Sequence, residues 1–220
     1  MRISVLCSEK EHPVYTILEE WCKSKQDSGH EVELINSGNE ISGGDLLFLI
    51  SCHEIISSEV RATYQKTLVI HASDLPSGRG WSPLVWQILE GESQITVTLL
   101  EAEDKLDSGD IWHQVKIIFE GHELVDEINK CLFDAEIHLM DYAIDNFQCV
   151  DPVPQSDRNA TYYSKRRPED SRIDPQRTIA EQFNILRLAD PERYPAFFDY
   201  RGHRYKIRLT KMKGDFNESR

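Results

Sequence analysis

Residues 45–71, DLLFLISCHEIISSEVRATYQKTLVIH, decide how the chain folds. Asp45–Ser51 (DLLFLIS) and Thr67–His71 (TLVIH) are apolar at successive positions, so each can bury both faces, as a central parallel strand covered by helices does. A helix-compatible segment around Ser57–Gln65 separates them. Strand, helix and strand in that order predict a right-handed βαβ unit.

The same alternation continues outward. Upstream, Arg2–Cys7 reads as a short apolar strand. Val14–Lys23 puts Ile17, Leu18, Trp21 and Cys22 on one helical face, with Pro13 suited to a first turn. Glu31–Ile35 (EVELI) alternates apolar and polar like a strand near a sheet edge. Downstream, the punctuated loop ASDLPSGRGWSP opens into Leu84–Leu89. Two β-rich segments follow, Gln94–Leu100 and Ile111–Phe119, split by the polar stretch Glu101–Asp110. Leu124–Phe147 is the best helix in the chain, and its stripe of Val125, Ile128, Leu132, Ala135, Leu139 and Ala143 reads as core packing. These elements predict an α/β domain with a parallel-rich twisted sheet over residues 1–150. The Pro, Asp and Ser content of DPVPQSDRN marks a boundary. Residues 151–220 then form an extension: a linker, a helix near Ile179–Leu188, and a hairpin in which FFDY and YKIRL flank Arg201–Arg204.

Composition bounds the function. With 220 residues and 40% hydrophobic content, the chain suits one α/β domain, or one domain plus an appendage. Its longest apolar run, Leu46–Ile50, is far short of the roughly 20 residues that span a bilayer. The charged N-terminus carries no apolar stretch of a secretory signal. Five cysteines, an odd number with no C-x-x-C spacing, predict free thiols in the cytoplasm and no structural metal site. A net charge of −13 argues against a nucleic-acid partner. The charge is split, however: residues 1–157 hold 10 Lys+Arg against 29 Asp+Glu, and residues 158–220 hold 15 against 9.

Open parallel sheets bind ligands at the carboxyl ends of their strands. Three segments leave strands at that edge: Ser51-Cys52-His53-Glu54, His71–Pro83 and Glu101–Asp110. His71 closes an apolar strand and leads into a loop with Ser73, Asp74, Pro76, Gly78, Arg79 and Gly80. Alone, a histidine at a strand end is more often a structural residue than a catalyst. Asp107, in Asp107-Ser108-Gly109-Asp110, is equally at home as a turn carboxylate.

Taken together these stretches resemble a known family. HASDLPSGRGWSP, followed by ILEGESQITVTLLEAEDKLDSGDIW, is similar to the formyltransferases that use 10-formyltetrahydrofolate. In that family an N-x-H-x-S-x-L-P-x-x-R-G-x-x-P loop precedes a D-S/T-G-D-I turn by some thirty residues. Tyr162-Tyr163-Ser164-Lys165-Arg166 with Pro168-Glu169-Asp170 resembles the segment that follows the family's catalytic domain. Asn184-Ile185-Leu186-Arg187 with Pro195-Ala196-Phe197-Phe198 resembles the C-terminal part of the sugar N-formyltransferases. The resemblance implies a Rossmann-like domain that moves a formyl group from the folate to a primary amine. It puts the catalytic His at His71 and the catalytic Asp at Asp107. It places the pterin between the loop of Cys52, His53, Glu54 and Ile56 and the loop of Asp104. One departure is plain: the family's Asn, an oxyanion donor, falls on Val69, which has no donor. Ser73, His53, His71 itself or a backbone N–H near Ser51–Glu54 are the replacements to consider.

Three family branches compete for the acceptor amine. Methionyl-tRNA formyltransferases carry a longer C-terminal domain, whereas only about 65 residues follow the core here. The tail also does not favour the glycinamide ribonucleotide type. The sugar branch matches best, with a nucleotide-linked 4-amino-4,6-dideoxy hexose as partner, UDP- or dTDP-activated. The variant loop is similar to a divergent group linked to UDP-activated precursors of pseudaminic acid, a surface polysaccharide component. Arg79 is then a candidate for binding the substrate, its neighbours Lys165, Arg166 and Arg167 for the diphosphate with Arg201 and Arg204 behind them, and Trp81 for stacking on sugar, base or folate. That branch also implies a homodimer. The rival from another class is a protein of this fold that only binds folate or a nucleotide sugar.

Overall fold

The computed structural model describes residues 1–212; residues 213–220, the end of the expected extension, lie outside the described residues. The chain divides into two compact units. One comprises Met1–Ile118 with Asn129–Lys165, the other Phe119–Ile128 with the residues from Arg166 onward.

In the first unit the strands β1 (Arg2–Leu6), β2 (Glu31–Ile35), β3 (Gly44–Leu49) and β4 (Tyr64–His71) are followed by a two-residue β5 (Arg79–Gly80), then β6 (Gln94–Glu101) and β7 (Ile111–Ile118). All but β5 form one sheet in the order β2-β1-β3-β4-β6-β7. The first four run parallel, with Val5 beside Phe48 and Leu49 beside Val69. β6 lies antiparallel to β4, and β7 antiparallel to β6. The sheet is therefore mostly parallel with an antiparallel margin. Every residue of β6 from Ile95 to Leu100 is buried, which explains its apolar run; such a run reports burial and says nothing of direction.

Four helices belong with these strands: α1 (Tyr15–Asp27), α2 (Ser58–Arg61), α3 (Pro83–Leu89) and α4 (Val125–Asp145). α1 buries Leu18, Trp21 and Cys22, as its spacing predicts. The Trp21 ring meets Phe48 edge-on at 6.0 Å, and its Nε1 donates to Asp141 Oδ1 of α4 at 2.7 Å. On α4, Ile128, Ala135, Leu139 and Ala143 are buried while Val125 and Leu132 are half-buried, so four of the six residues of the expected stripe are fully core. α2 is shorter than expected because Tyr64 and Gln65 are drawn into β4, where Tyr64 pairs with Gly44. On the sheet face opposite Phe48, Leu6, Ile35, Leu47, Leu49, Ile56 and Tyr64 form a cluster, with Cys52, Val69 and Ala102 packed against it.

Residues 151–165, which the sequence reading assigns to the extension, lie in the first unit. Val153 exchanges two backbone hydrogen bonds of 2.8 Å with Ile111, and β8 (Tyr162–Tyr163) pairs in parallel with β5. A Pro/Asp/Ser-rich composition marks irregular chain but not what that chain packs on.

In the second unit a 3-10 turn, Ala180–Gln182, leads into α5 (Phe183–Arg187). β9 (Ala196–Tyr200) and β10 (His203–Ile207) make the expected hairpin. Arg201 and Gly202 turn it with left-handed φ of 49° and 80°, as a tight two-residue hairpin turn requires. Ile173, Leu186 and Ala196 form this unit's small core.

Candidate active site

β4 delivers His71 to the carboxyl edge of the sheet, where it is 7% exposed. Its Nε2 lies 2.8 Å from the carbonyl oxygen of Gly78. A carbonyl only accepts, so Nε2 carries a proton. The other nitrogen, Nδ1, faces Asp107 Oδ1 at 3.6 Å, and both side chains are buried. Asp107 sits in the turn between β6 and β7 with a left-handed φ of 52°. Its Oδ2 accepts from the Gly80 backbone N–H at 2.8 Å. Residues 36 positions apart in sequence thus meet as one acid–base pair.

The loop after His71 is held from outside. Gly78 N donates to Thr161 Oγ1 at 2.8 Å, Arg79 N to Thr161 O at 2.9 Å, and Trp81 N to Tyr163 O at 3.1 Å. Gly80 has a φ of 100°, and a Cβ there would run into the carbonyl oxygen of Tyr163. Only glycine allows β5 and β8 to approach so closely. The Tyr163 hydroxyl donates to Glu90 Oε2 at 2.6 Å; burial and that carboxylate push it up to about 12.

Arg79, a candidate for binding the substrate, is turned inward. Its side chain is fully buried and committed within the protein. Nη1 donates to Asp157 Oδ1 at 2.7 Å and to Tyr162 Oη at 3.3 Å, and Nη2 to Gln155 Oε1 at 2.8 Å. Charge suggests an anion to an isolated arginine, but burial decides which anion it meets. Arg166 lies half-buried in the second unit, where Nη2 donates to Asp170 O and Ser171 Oγ, while its Nε has no hydrogen-bond partner among the described residues. Trp81 and Lys165 do come together. Lys165 Nζ stands 4.7 Å from the centre of the half-exposed Trp81 ring, and the His53 ring lies 6.3 Å from the same indole.

Ser73 is buried beside the pair, and its Oγ has no hydrogen-bond partner among the described residues. Val69, two residues before His71 on the same face of β4, is half-buried against Ile56 and Cys52. In the loop after β3, Cys52 Sγ donates to Glu54 O, and burial pushes its thiol up. His53 N donates to Ser8 Oγ, and its ring stands 3.4 Å from Glu9 Oε1. The Glu54 carboxylate accepts from Gly38 N at 3.1 and 3.2 Å. The backbone N–H groups of Cys52, Glu54, Ile55 and Ile56 make no hydrogen bond among the described residues. Arg61 joins this loop to that of Asp104: Nη1 donates to Ile56 O at 2.6 Å and Nη2 to Asp104 Oδ1 at 2.5 Å.

Sequence reasoning missed Arg61, Thr161 and Gln155. All three act through partners distant in sequence, and no local pattern marks them. Among the described residues no group of His, Cys, Asp and Glu could hold a metal ion, and no helix is long and apolar enough to cross a membrane.

Comparison with known proteins bears on the fold and the family. A methionyl-tRNA formyltransferase from Clostridium thermocellum superposes with a TM-score of 0.80 at 21% identity, over 97% of this chain and 94% of that one. HypX from Aquifex aeolicus, in complex with tetrahydrofolic acid, superposes with a TM-score of 0.79 at 22% identity, over 95% of this chain and 37% of that one. A 4-N formyltransferase from Francisella tularensis gives 0.71 at 20% identity, over 96% of this chain and 98% of that one. At such identities the likeness is one of fold. The Clostridium chain is matched over nearly its whole length, so length does not set this protein apart from the methionyl-tRNA branch. The family model described as formyl transferase matches residues 1–144, well over half of the sequence, and the protein belongs to the formyl transferase family.

Proposed function

We propose that the protein is a 10-formyltetrahydrofolate-dependent N-formyltransferase whose acceptor is the primary amine of a nucleotide-linked amino sugar, a UDP- or dTDP-linked 4-amino-4,6-dideoxy hexose. The observation that carries the reading is the buried His71–Asp107 pair, 3.6 Å apart at the carboxyl edge of the sheet. When bound, the folate supplies an electrophilic formyl carbon. The loop of Cys52, His53, Glu54 and Ile56, with Asp104 across from it, fits the flat pterin. It offers unbonded backbone N–H groups beside an aliphatic wall of Ile56, Val69 and Ala102.

An acceptor amine attacks only as the free base, and its conjugate acid has a pKa near 10, so its proton must be taken up. His71 holds Nε2–H on Gly78, which leaves Nδ1 as the nitrogen that accepts it. Asp107 Oδ1 lies beside Nδ1, where the proton is held; when the bond from the formyl carbon to the folate nitrogen breaks, that nitrogen leaves with the proton and His71 is restored. Val69 offers no donor to a developing oxyanion. The unbonded N–H groups of residues 52–56 and the buried Ser73 hydroxyl are donors that remain for it.

The half-exposed Trp81 ring under Lys165 supports a nucleotide-linked acceptor, because it pairs a stacking surface with a cation. The fold shared with a 4-N formyltransferase is in keeping with this reading. Five free thiols suit the cytoplasm. The resemblance to sugar N-formyltransferases implies a homodimer, which light scattering tests.

The deciding experiment incubates the protein with 10-formyltetrahydrofolate and a panel of UDP- and dTDP-4-amino sugars, and reads formyl gain by mass spectrometry. One sugar gaining one formyl group is the expected outcome, with His71→Ala and Asp107→Asn each lowering kcat by about 100-fold or more. Formylation of methionyl-tRNA or glycinamide ribonucleotide in place of every sugar would move the protein to that branch. Folate binding without transfer to any acceptor would make it a binding protein.

A further inference from the structure

Asp107 carries its carboxylate on a turn of unfavourable backbone conformation, and one side chain spans that turn. Gln155 Nε2 donates to the carbonyl oxygens of both Asp107, at 3.1 Å, and Gly109, at 2.7 Å. Its Oε1 accepts from Arg79 Nη2 at 2.8 Å. The next residue after Arg79 is Gly80, whose N–H holds the Asp107 carboxylate at 2.8 Å. The bonds therefore close a ring: from the Asp107 carboxylate to Gly80, through Arg79 to Gln155, and back to the Asp107 carbonyl.

Chemistry fixes the orientation of the amide within this ring. A guanidinium only donates and carbonyls only accept, so turning the amide over would set donor against donor and acceptor against acceptor. Gln155 is half-buried, and so the three bonds form where water competes poorly. A residue with φ of 52° and a side chain other than glycine needs support from its surroundings, and Gln155 grips both ends of the peptide stretch that follows it.

We infer that Gln155 is a positioning residue for the proton-handling pair: its amide sets the Asp107 turn against the Arg79–Gly80 strand and so fixes where the Asp107 carboxylate stands relative to His71. The inference rests on the reading of His71 and Asp107 as that pair. It deepens the reading by assigning the segment after residue 150 a part in the active site.

The test uses Gln155→Glu and Gln155→Met in the full chain. Glu keeps the length and the acceptor for Arg79 but sets a charged oxygen against the two turn carbonyls in place of the N–H donors, whereas Met removes the donors without adding charge. Both variants are expected to lower kcat by about 10- to 100-fold, since a displacement on the order of 1 Å near the reacting groups has that effect. KM for the folate donor is expected to change less than about twofold, and the pH dependence of kcat to shift from that of the parent. Exchange of the Gly80 amide hydrogen, followed by NMR, gives a readout that needs no turnover. It should quicken at least about tenfold in both variants while β1 and β3 amides are unchanged. If Gln155→Glu keeps the parental kcat and pH profile while Asp107→Asn loses activity, Gln155 does not position the pair. If Asp107→Asn is itself fully active, the reading beneath the inference fails instead. Unaltered Gly80 exchange in both variants would overturn the inference whether or not an acceptor has been found.

Discussion

Glu136 gives the sharpest quantitative prediction. It lies on the buried side of α4, 7% exposed, and its Oε2 has no hydrogen-bond partner among the described residues. Desolvation pushes its carboxyl from an ordinary 4.5 up to about 8. Near neutrality the folded protein therefore keeps a proton that the unfolded chain has released. Stability falls as pH rises under those conditions, starting near pH 4.5 and levelling off above about pH 8. Within that window each pH unit removes about 1.4 kcal/mol, which amounts to about 3 kcal/mol by pH 7. Glu136→Gln keeps the shape and cannot ionise. Urea unfolding of variant and parent, followed by tryptophan fluorescence at pH 5, 6, 7 and 8, measures the effect. Taking the difference cancels the other carboxylates, and any fixed effect of the amide adds only an offset. The variant's relative stability should climb with pH at about 1.4 kcal/mol per unit. A difference that stays flat across the range would refute the reasoning.

Other sites give further expectations. If the oxyanion donor stands elsewhere, Val69→Asn should alter kcat by less than about threefold, and it should lower stability by about 1–3 kcal/mol through a polar group in an apolar cluster; a 100-fold gain in rate would mean the natural enzyme is impaired. Arg61→Gln, by releasing the bond to Asp104 and weakening that to Ile56, should raise KM for the folate donor about tenfold with kcat within about twofold. An unchanged KM would remove Arg61 from the pterin site. Gly80→Ala forces a left-handed alanine into the Tyr163 carbonyl and should destabilise the protein by about 2 kcal/mol or more in urea unfolding. A change within about 0.5 kcal/mol would show that β5 and β8 can separate freely.

The parts legible in sequence were those set by local chemistry. Apolar runs at Asp45–Ser51 and Thr67–His71 mark buried strands because a strand covered on both faces has no polar side. The turn residues Gly202 and Asp107 mark loops because few residue types suit such backbone. The same signals are silent about direction, which is why the antiparallel β6 and β7 are indistinguishable from parallel strands in sequence. They are silent about partners as well. Arg79 reads as an exposed cation until its neighbours are known, and those neighbours lie 76 to 83 residues away. Gln155 sits within a stretch whose composition says only that it is irregular. The His71–Asp107 pair was reached through resemblance, since neither residue is distinctive alone.

The pairing of β8 with β5 carries a consequence for how the protein comes into being. His71 and Asp107 are both in place in the chain by residue 107, and every strand of the main sheet is complete by Ile118. Yet three backbone N–H groups of Gly78–Trp81 find their acceptors at Thr161 and Tyr163, and the carbonyls of Asp107 and Gly109 meet the Gln155 amide. As the chain leaves the ribosome, the sheet can form well before the chemistry does. A chain that ends near residue 150 would lack these partners, and the fully buried Arg79 would lose Gln155, Asp157 and Tyr162 as well. The setting of His71 and Asp107 is thus completed by fifteen residues that contribute no strand to the main sheet.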